Sequence, residues 1–467
     1  MLDLRMRENL AGLVGRVLAG VKRNRLTRFL FRSAYRSLRT RWLILQGESR
    51  RSDQQAPVRA ITDAQGHFSA GYYDNCPWDP SGRYLLCLTT DFARRQPRPL
   101  EPAWVSLVDL RSGQCRRLAA TRAWCWQKGA MQGWVAPEGK PLIRYNDFRD
   151  GAYVTVLHDM DRGELDVLPA PTYVSRADGR AMLTVNFARL AFCRPGYGYA
   201  ALPFDPRRSG DAPQDDGIWH YSSETGQGEL IISLAQLKRF EHREDFEDAI
   251  HHVISLSFNP GGDRFVFFHR WRSHKSGIEK TRMFTAGADG KDLCLLSGGD
   301  MVSHYCWQDR RRLLAWAHER PLGNRFYLYH DLTPQKHAFM EGVLTEDGHP
   351  SFHPSLPVVV LDSYPDGQNR QHLRLVDVPT GTVHPLGSFF AGPGFDGPAR
   401  CDLHPRWSRD GRSICFDSSH EGRRMVYLAD VERLLEKIAS RGCAGEGQSP
   451  AWAPGERTAQ ALTMTRG

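Results

Sequence analysis

No window of this sequence reaches the ~18 consecutive apolar residues that a membrane-spanning helix requires. Its ten cysteines contain no CxxC pair, which argues against a zinc ribbon. Several lie inside apolar strand-like runs, such as "YLLCLTT" around Cys87 and "SICFDS" around Cys415. That placement suits buried free thiols in a reducing compartment. The first residues are basic, and Arg16, Lys22, Arg23 and Arg25 interrupt what would have to be the apolar core of a secretory leader. The expected location is therefore the cytoplasm, with peripheral contact to the inner membrane as a further expectation. Phosphate loops, dinucleotide fingerprints and serine-nucleophile elbows are missing too. The glycine spacing of "GPGFDG" (392–397) does not by itself make a phosphate site. Helical periodicity is scarce after residue 60, where only "ISLAQLKRF" and "ADVERLLEKIASRG" carry it.

What remains is a soluble, globular composition, 41% hydrophobic and 25% charged. The net charge of +9 is unevenly distributed. Residues 1–60 hold 14 Lys/Arg against 4 Asp/Glu, so this arm accounts for the excess and the rest of the chain is nearly neutral. Leu10, Leu13, Val14, Val17, Leu18 and Val21 follow helical spacing, and Tyr35, Leu38, Trp42 and Leu45 continue it. Residues 1–56 are thus expected to form a basic amphipathic helical arm. Through residues 1–45 it either docks on an anionic membrane surface or an acidic protein partner, or packs its apolar stripe on the body. Nucleic acid is not an expected partner, because the body is neutral and shows no base-stacking module.

From residue 57 to about 440 the chain reads as short apolar runs split by Gly, Pro, Asp and Asn, the signature of an all-β domain. One unit recurs: an aromatic or aliphatic residue, a polar turn, then a β run. It starts at Trp78, Trp134, Val174, Phe258, Trp307, Phe352 and Trp407. The steps are 40 to 56 residues, apart from one of 84 that contains an insertion over roughly 191–250. Four strands per step of this length make a propeller blade, and seven units close a ring. A pair of β-sandwiches would not explain the repeat. The expected fold is a seven-bladed β-propeller with a short helical arm, followed by a flexible tail over 441–467.

Three residues before the unit's aromatic stand His304, His349 and His404, in three consecutive units; the first unit has Asn75 there. Equivalent positions on adjacent blades lie side by side around the central channel, so these imidazoles should converge at one mouth. That convergence makes a metal site or a proton-transfer site available. Arg400 and Asp402 precede His404 in the same turn, and Asp402 suits a ligand or an orienter of one.

The segments "EDGHPSF", "SHYCW" and "DLHPRWSRDGRSICFDSSHEGRRMVYLAD" resemble the oligogalacturonate lyase family and its TolB-like propeller relatives. The resemblance covers the last four units, and this chain looks like a divergent member. It implies a divalent metal, typically manganese, held at one mouth of the propeller, and cleavage of uronate oligosaccharides by β-elimination. His349 and His404 match metal-ligand positions, and His304 matches a histidine near the substrate. The family's further ligands, a glutamine and a histidine, are replaced here by Ala399 and Asp402. The family's base is an arginine upstream of the first histidine, for which Arg282, Arg272 and Arg270 are the candidates.

Such an elimination needs a cation on the uronate carboxylate and a base at the C5 proton. The expected assignment is His349, His404 and Asp402 for the metal, Arg400 or Arg282 for the carboxylate, and His304 or an arginine for the proton. The insertion adds Arg189, Arg194, Tyr197 and Tyr199, cations and flat rings suited to a charged sugar. The expected partner is an anionic oligo- or polysaccharide. The alternative reading is a non-catalytic propeller that binds glycan or scaffolds a membrane complex for exopolysaccharide.

Overall fold

A computed structural model describes residues 39–48 and 53–442. The first 38 residues of the basic arm, residues 49–52 and the tail from 443 lie outside them. Of the arm, residues 39–45 are helical. No helix among the described residues is long and apolar enough to cross a membrane.

Seven antiparallel sheets follow one another along the chain. Blades 1 to 6 begin with innermost strands at His67–Ser69, Gly133–Val135, Val174–Ser175, Ala249–Phe258, Val302–Trp307 and Ser351–Phe352. Blade 7 has Arg406–Trp407 innermost, then Ser413–Ser418 and Met425–Asp430, and takes its outermost strand from Val58–Ala60 near the other end of the chain. This exchange closes the ring and pairs the hydrogen-bonding edge of Met425–Asp430. Asp53–Gln54 adds a fifth strand to blade 6. The expected boundary between arm and propeller at residue 56 therefore falls within chain that already belongs to two blades.

The apolar core lies between the blades. One group of buried side chains joins blades 3 to 5 through Leu183, Phe265, Phe284 and Leu313, and another joins blades 6, 7 and 1 through Val360, Leu375, Phe416 and Leu85. The second strands of the blades bury both faces against neighbouring blades, which is why runs such as "VVVL" (Val358–Leu361) are continuously apolar.

Two departures from the expected pattern shape the centre. The inner strand of blade 1 starts eleven residues before Trp78, at His67, and the intervening loop enters the channel. Gly71, with φ of +91°, makes the turn into it. Tyr73 Oη donates to the Tyr305 carbonyl at 2.8 Å and accepts from the Tyr305 amide at 2.9 Å, so one side chain ties blade 1 to blade 5. Arg406, almost fully buried, donates to the carbonyls of Gly71 and Tyr72 and to Asp417. Lys128 reaches Asp74 and sits 3.4 Å above the centre of the Tyr72 ring.

The second departure is a helix, Phe187–Cys193, between the second and third strands of blade 3. Its seven residues are too few for a clear periodic signal, but Asn186 caps it by accepting from the Arg189 amide. The Arg194–Tyr199 turn folds back on this helix. A Cβ at Gly198 would lie 2.3 Å from the Ala191 nitrogen, so only glycine permits that approach.

Candidate active site at the channel mouth

The three in-register histidines meet. The rings of His304 and His349 are 4.0 Å apart between centroids, and those of His349 and His404 are 4.3 Å apart. All three are buried. Asp402 completes the group: one ligand atom each of His349, Asp402 and His404 lies within 4.8 Å of the other two. His404 has φ of +47°, a backbone region that costs a non-glycine residue of order 1–3 kcal/mol. The surrounding hydrogen bonds hold it there.

Asp362, which follows the second strand of blade 6, organises this corner. One carboxylate oxygen accepts from the His349 amide at 2.7 Å and from His349 Nδ1 at 2.9 Å; the other accepts from the His404 amide at 2.9 Å. Burial raises its pKa to about 7. Because His349 donates through Nδ1, its Nε2 carries the lone pair. Neither His349 Nε2 nor His404 Nε2 has a hydrogen-bond partner, although both atoms are buried. Burial, reinforced by the neighbouring imidazole, holds both rings well below the ordinary histidine pKa. Two neutral imidazoles with bare, convergent nitrogens beside a carboxylate fit a divalent metal.

His304 is oriented differently. Its Nδ1 is 2.9 Å from Asp347, and its Nε2 is 3.5 Å from the Tyr364 hydroxyl. An imidazole held by a carboxylate through one nitrogen is suited to take a proton on the other.

A basic ridge borders the histidines. Arg400 donates to Asp402 through Nε at 2.6 Å and to the Tyr197 hydroxyl at 2.6 Å. Burial opposes its charge, but Asp402 outweighs that and keeps it cationic. Arg194 lies 4.6 Å from the Tyr197 ring centre and pairs with Glu279 at 2.7 Å, and Arg270 pairs with the same Glu279 oxygen at 2.7 Å. Burial works against ionisation of Tyr197, yet Arg400 and Arg194 on either side bring its pKa below the usual phenol value. Gln127 donates to the Arg400 carbonyl at 3.1 Å and fixes the turn that presents Arg400 and Asp402.

The structure gathers His304, His349, His404, Asp402, Arg400, Arg194 and Tyr197, and leaves three expected residues elsewhere. Arg282 is on the third strand of blade 4, where it donates to the carbonyls of Leu237, Phe240 and Glu241 and contacts His269. Its donors anchor the loop between blades 3 and 4. Arg189 is 2% exposed; its guanidinium binds Asp216 and the carbonyls of Ser209, Gly210 and His251. Tyr199 is buried and stacked on Phe187 at 4.2 Å, with its hydroxyl bonded to Asn146. All three hold the insertion together. Of the other arginines considered for the base, Arg272 bonds the Cys193 carbonyl, while Arg270 reaches the ridge.

Residues not singled out from the sequence complete the mouth. Tyr72, on the loop from blade 1, packs its ring 4.7 Å from His404 and 6.2 Å from Tyr197. The one signal available was its place three residues before Asn75, the first unit's counterpart of the histidines. Asp347 stands two residues before His349, as Asp402 does before His404, whereas Tyr364 carried no repeat signal.

No family model matches this chain, and no curated protein does either. Solved structures do. Oligogalacturonate lyase from Vibrio parahaemolyticus aligns over 82% of this chain and 96% of its own at 14% identity, with a TM-score of 0.56. An oligogalacturonate lyase in complex with manganese aligns over 81% of this chain and 95% of its own at 16% identity, with a TM-score of 0.58. At these identities the likeness concerns the backbone, and the chain is a seven-bladed β-propeller with the architecture of the oligogalacturonate lyases.

Proposed function

We propose that this protein is a polysaccharide lyase that cleaves an anionic, uronate-containing glycan by β-elimination at the histidine-lined mouth. One observation carries the reading: two buried imidazole nitrogens without partners face one carboxylate, next to a ridge of arginines. A structural histidine cluster would have its nitrogens hydrogen-bonded by the chain.

The chemistry follows from the groups present. Arg400 and Arg194 suit the uronate carboxylate, since guanidinium pairs bidentately with carboxylate and both cations line the ridge. His304 Nε2 takes the C5 proton, and Asp347 stabilises the imidazolium that results. As the C5–H electrons form the C4–C5 double bond, the C4–O bond breaks. The Tyr197 hydroxyl, made more acidic by its two arginines, gives the leaving oxygen its proton. His349, His404 and Asp402 would hold a divalent ion such as manganese. When bound, it would supply a second positive charge against the enolate that develops on the carboxylate. The tyrosine loop from blade 1 fills the channel beneath the histidines, so substrate reaches them from one side.

The test is an elimination assay on polygalacturonate and other uronate polysaccharides, following the ultraviolet absorbance of the unsaturated product. Metal content is measured on the same protein, purified without chelator or His-tag. Product formed by the wild type and lost in His304→Ala supports the reading. Stoichiometric metal without product from any uronate polymer would sink it, in favour of a propeller that binds glycan without cleaving it.

A further inference from the structure

Blade 3 carries a cavity of about 630 Å³ that shares no residue with the mouth. Sites for small ligands occupy about 300–1,000 Å³. It lies between the loop Pro169–Pro171, the end of the second strand at Thr184, and the segment 208–216 of the insertion. Thr184 ends the strand that corresponds to Val358–Leu361, which precedes Asp362 in blade 6, and to Ser413–Ser418 in blade 7. The cavity therefore opens on the same face of the propeller as the mouth.

Two aromatic rings line it. Trp219 and Tyr221 are two residues apart on one strand, so their side chains share a face. Both are half-buried. Tyr221 lies flat on the bare backbone of the neighbouring strand: a Cβ at Gly228 would be 2.3 Å from its ring. Thr184 pairs with Trp219 across the sheet, is 5% exposed, and has no hydrogen-bond partner for its hydroxyl. The charge here differs from that of the mouth. Asp215 and Asp216 line the cavity, against one cation, Arg208, which leans towards Asp205 at 3.8 Å. Asp216 is held by Arg189, whereas Asp215 is exposed.

We infer that this cavity is a second glycan-binding site, and that it takes neutral sugar residues. Stacked or adjacent aromatic faces suit the C–H faces of pyranose rings, and Asp215 and Thr184 suit their hydroxyls. Uronates are disfavoured by the two aspartates, just as they are favoured by the arginines of the mouth. The proposal rests on the reading of the mouth as a uronate site in one respect, that both sites bind one polymer. That polymer would then contain neutral as well as acidic sugars.

The test is calorimetric titration of the full-length protein with neutral hexaoses (gluco-, manno-, galacto- and xylo-linked) and, separately, with hexagalacturonate. A neutral hexaose should bind the wild type and the His349→Ala/His404→Ala variant alike. Its affinity should fall at least tenfold in Trp219→Ala and in Tyr221→Ala, with hexagalacturonate binding unchanged in both. Failure of all four neutral hexaoses to bind the wild type overturns the proposal, as does undiminished binding by both aromatic variants. Should Trp219→Ala lose the native circular dichroism spectrum, Tyr221→Ala and the exposed Asp215→Lys decide. A wrong reading of the mouth shows separately, as neutral binding intact with no hexagalacturonate bound.

Discussion

Among the described residues, two buried histidine clusters differ in how their ring nitrogens are partnered. In blade 4, His251 Nδ1 lies 2.9 Å from His269 Nε2, His251 Nε2 bonds the Phe246 carbonyl at 3.1 Å, and His269 Nδ1 meets Arg282 at 3.1 Å. Each of these ring nitrogens has a partner within the chain. At the mouth, the rings are as closely packed and as deeply buried, but His349 Nε2 and His404 Nε2 have none. Burial and proximity are common to both clusters. What separates the mouth is that two unpartnered nitrogens converge beside one carboxylate, whereas His252 in blade 4 buries both its nitrogens without a hydrogen-bond partner outside any such group; burying them unpaired costs free energy unless something else binds there.

The comparison can be broken most directly at the mouth. His349→Ala/His404→Ala should abolish metal binding, from about one equivalent to none by elemental analysis, and reduce elimination by at least about 10³-fold, while leaving the thermal midpoint of the metal-free protein within a few degrees of wild type. The corresponding change in blade 4, His251→Ala, should do the reverse. It leaves His269 with one fewer partner and opens a void beside Phe246, for a loss of about 2–4 kcal/mol in urea unfolding with metal content unchanged.

A pH dependence follows from the blade 4 pair. Burial lowers the His251 pKa to about 4, below the unfolded value near 6.5. Above pH 6.5 neither state is protonated at this ring, so its contribution to stability is intact. As pH falls towards 4 the unfolded chain takes up the proton first, and stability drops by about 3 kcal/mol. Unfolding free energies measured across pH 4–7 should show this slope, reduced by one proton in His251→Gln.

Smaller effects sharpen the contrast. Asp362→Asn keeps the shape but replaces one carboxylate oxygen with an amide that cannot accept from both His349 and His404, and should weaken metal affinity about 10–100-fold. Arg282→Lys should leave elimination within about twofold of wild type while lowering the thermal midpoint, since its donors serve the loop between blades 3 and 4 and His269 rather than the mouth. Arg400→Lys should raise KM more than it lowers kcat, because a lysine cannot pair bidentately with a carboxylate.

The repeat of aromatic, turn and strand, with seven members, was legible because each blade must solve the same packing problem and reuses the same residue types. The histidine register was legible for the same reason, since a repeat turns sequence position into spatial position. The insertion had no repeat to calibrate it. Arg189, Arg194, Tyr197 and Tyr199 are equally cationic and aromatic on paper, yet two face the mouth and two brace the helix Phe187–Cys193. That division depends on the turn at Gly196 and Gly198, which brings Tyr197 towards Arg400 across 203 residues of sequence. Arg282 was misplaced by the same limitation, because an arginine on a third strand reaches whatever loop packs over it.

Amino-acid order alone therefore determined the number of blades, the face of each strand, and the convergence of His304, His349 and His404, all of which are consequences of period and alternation. Tertiary structure alone decided that the outermost strand of blade 7 comes from Val58–Ala60, that Tyr72 and Tyr73 fill the channel, and that two convergent imidazole nitrogens of the mouth remain unpaired while those of His251 and His269 do not. These are contacts between segments far apart in the chain, and whether a buried polar atom finds a partner is settled only when the last blade packs against the first.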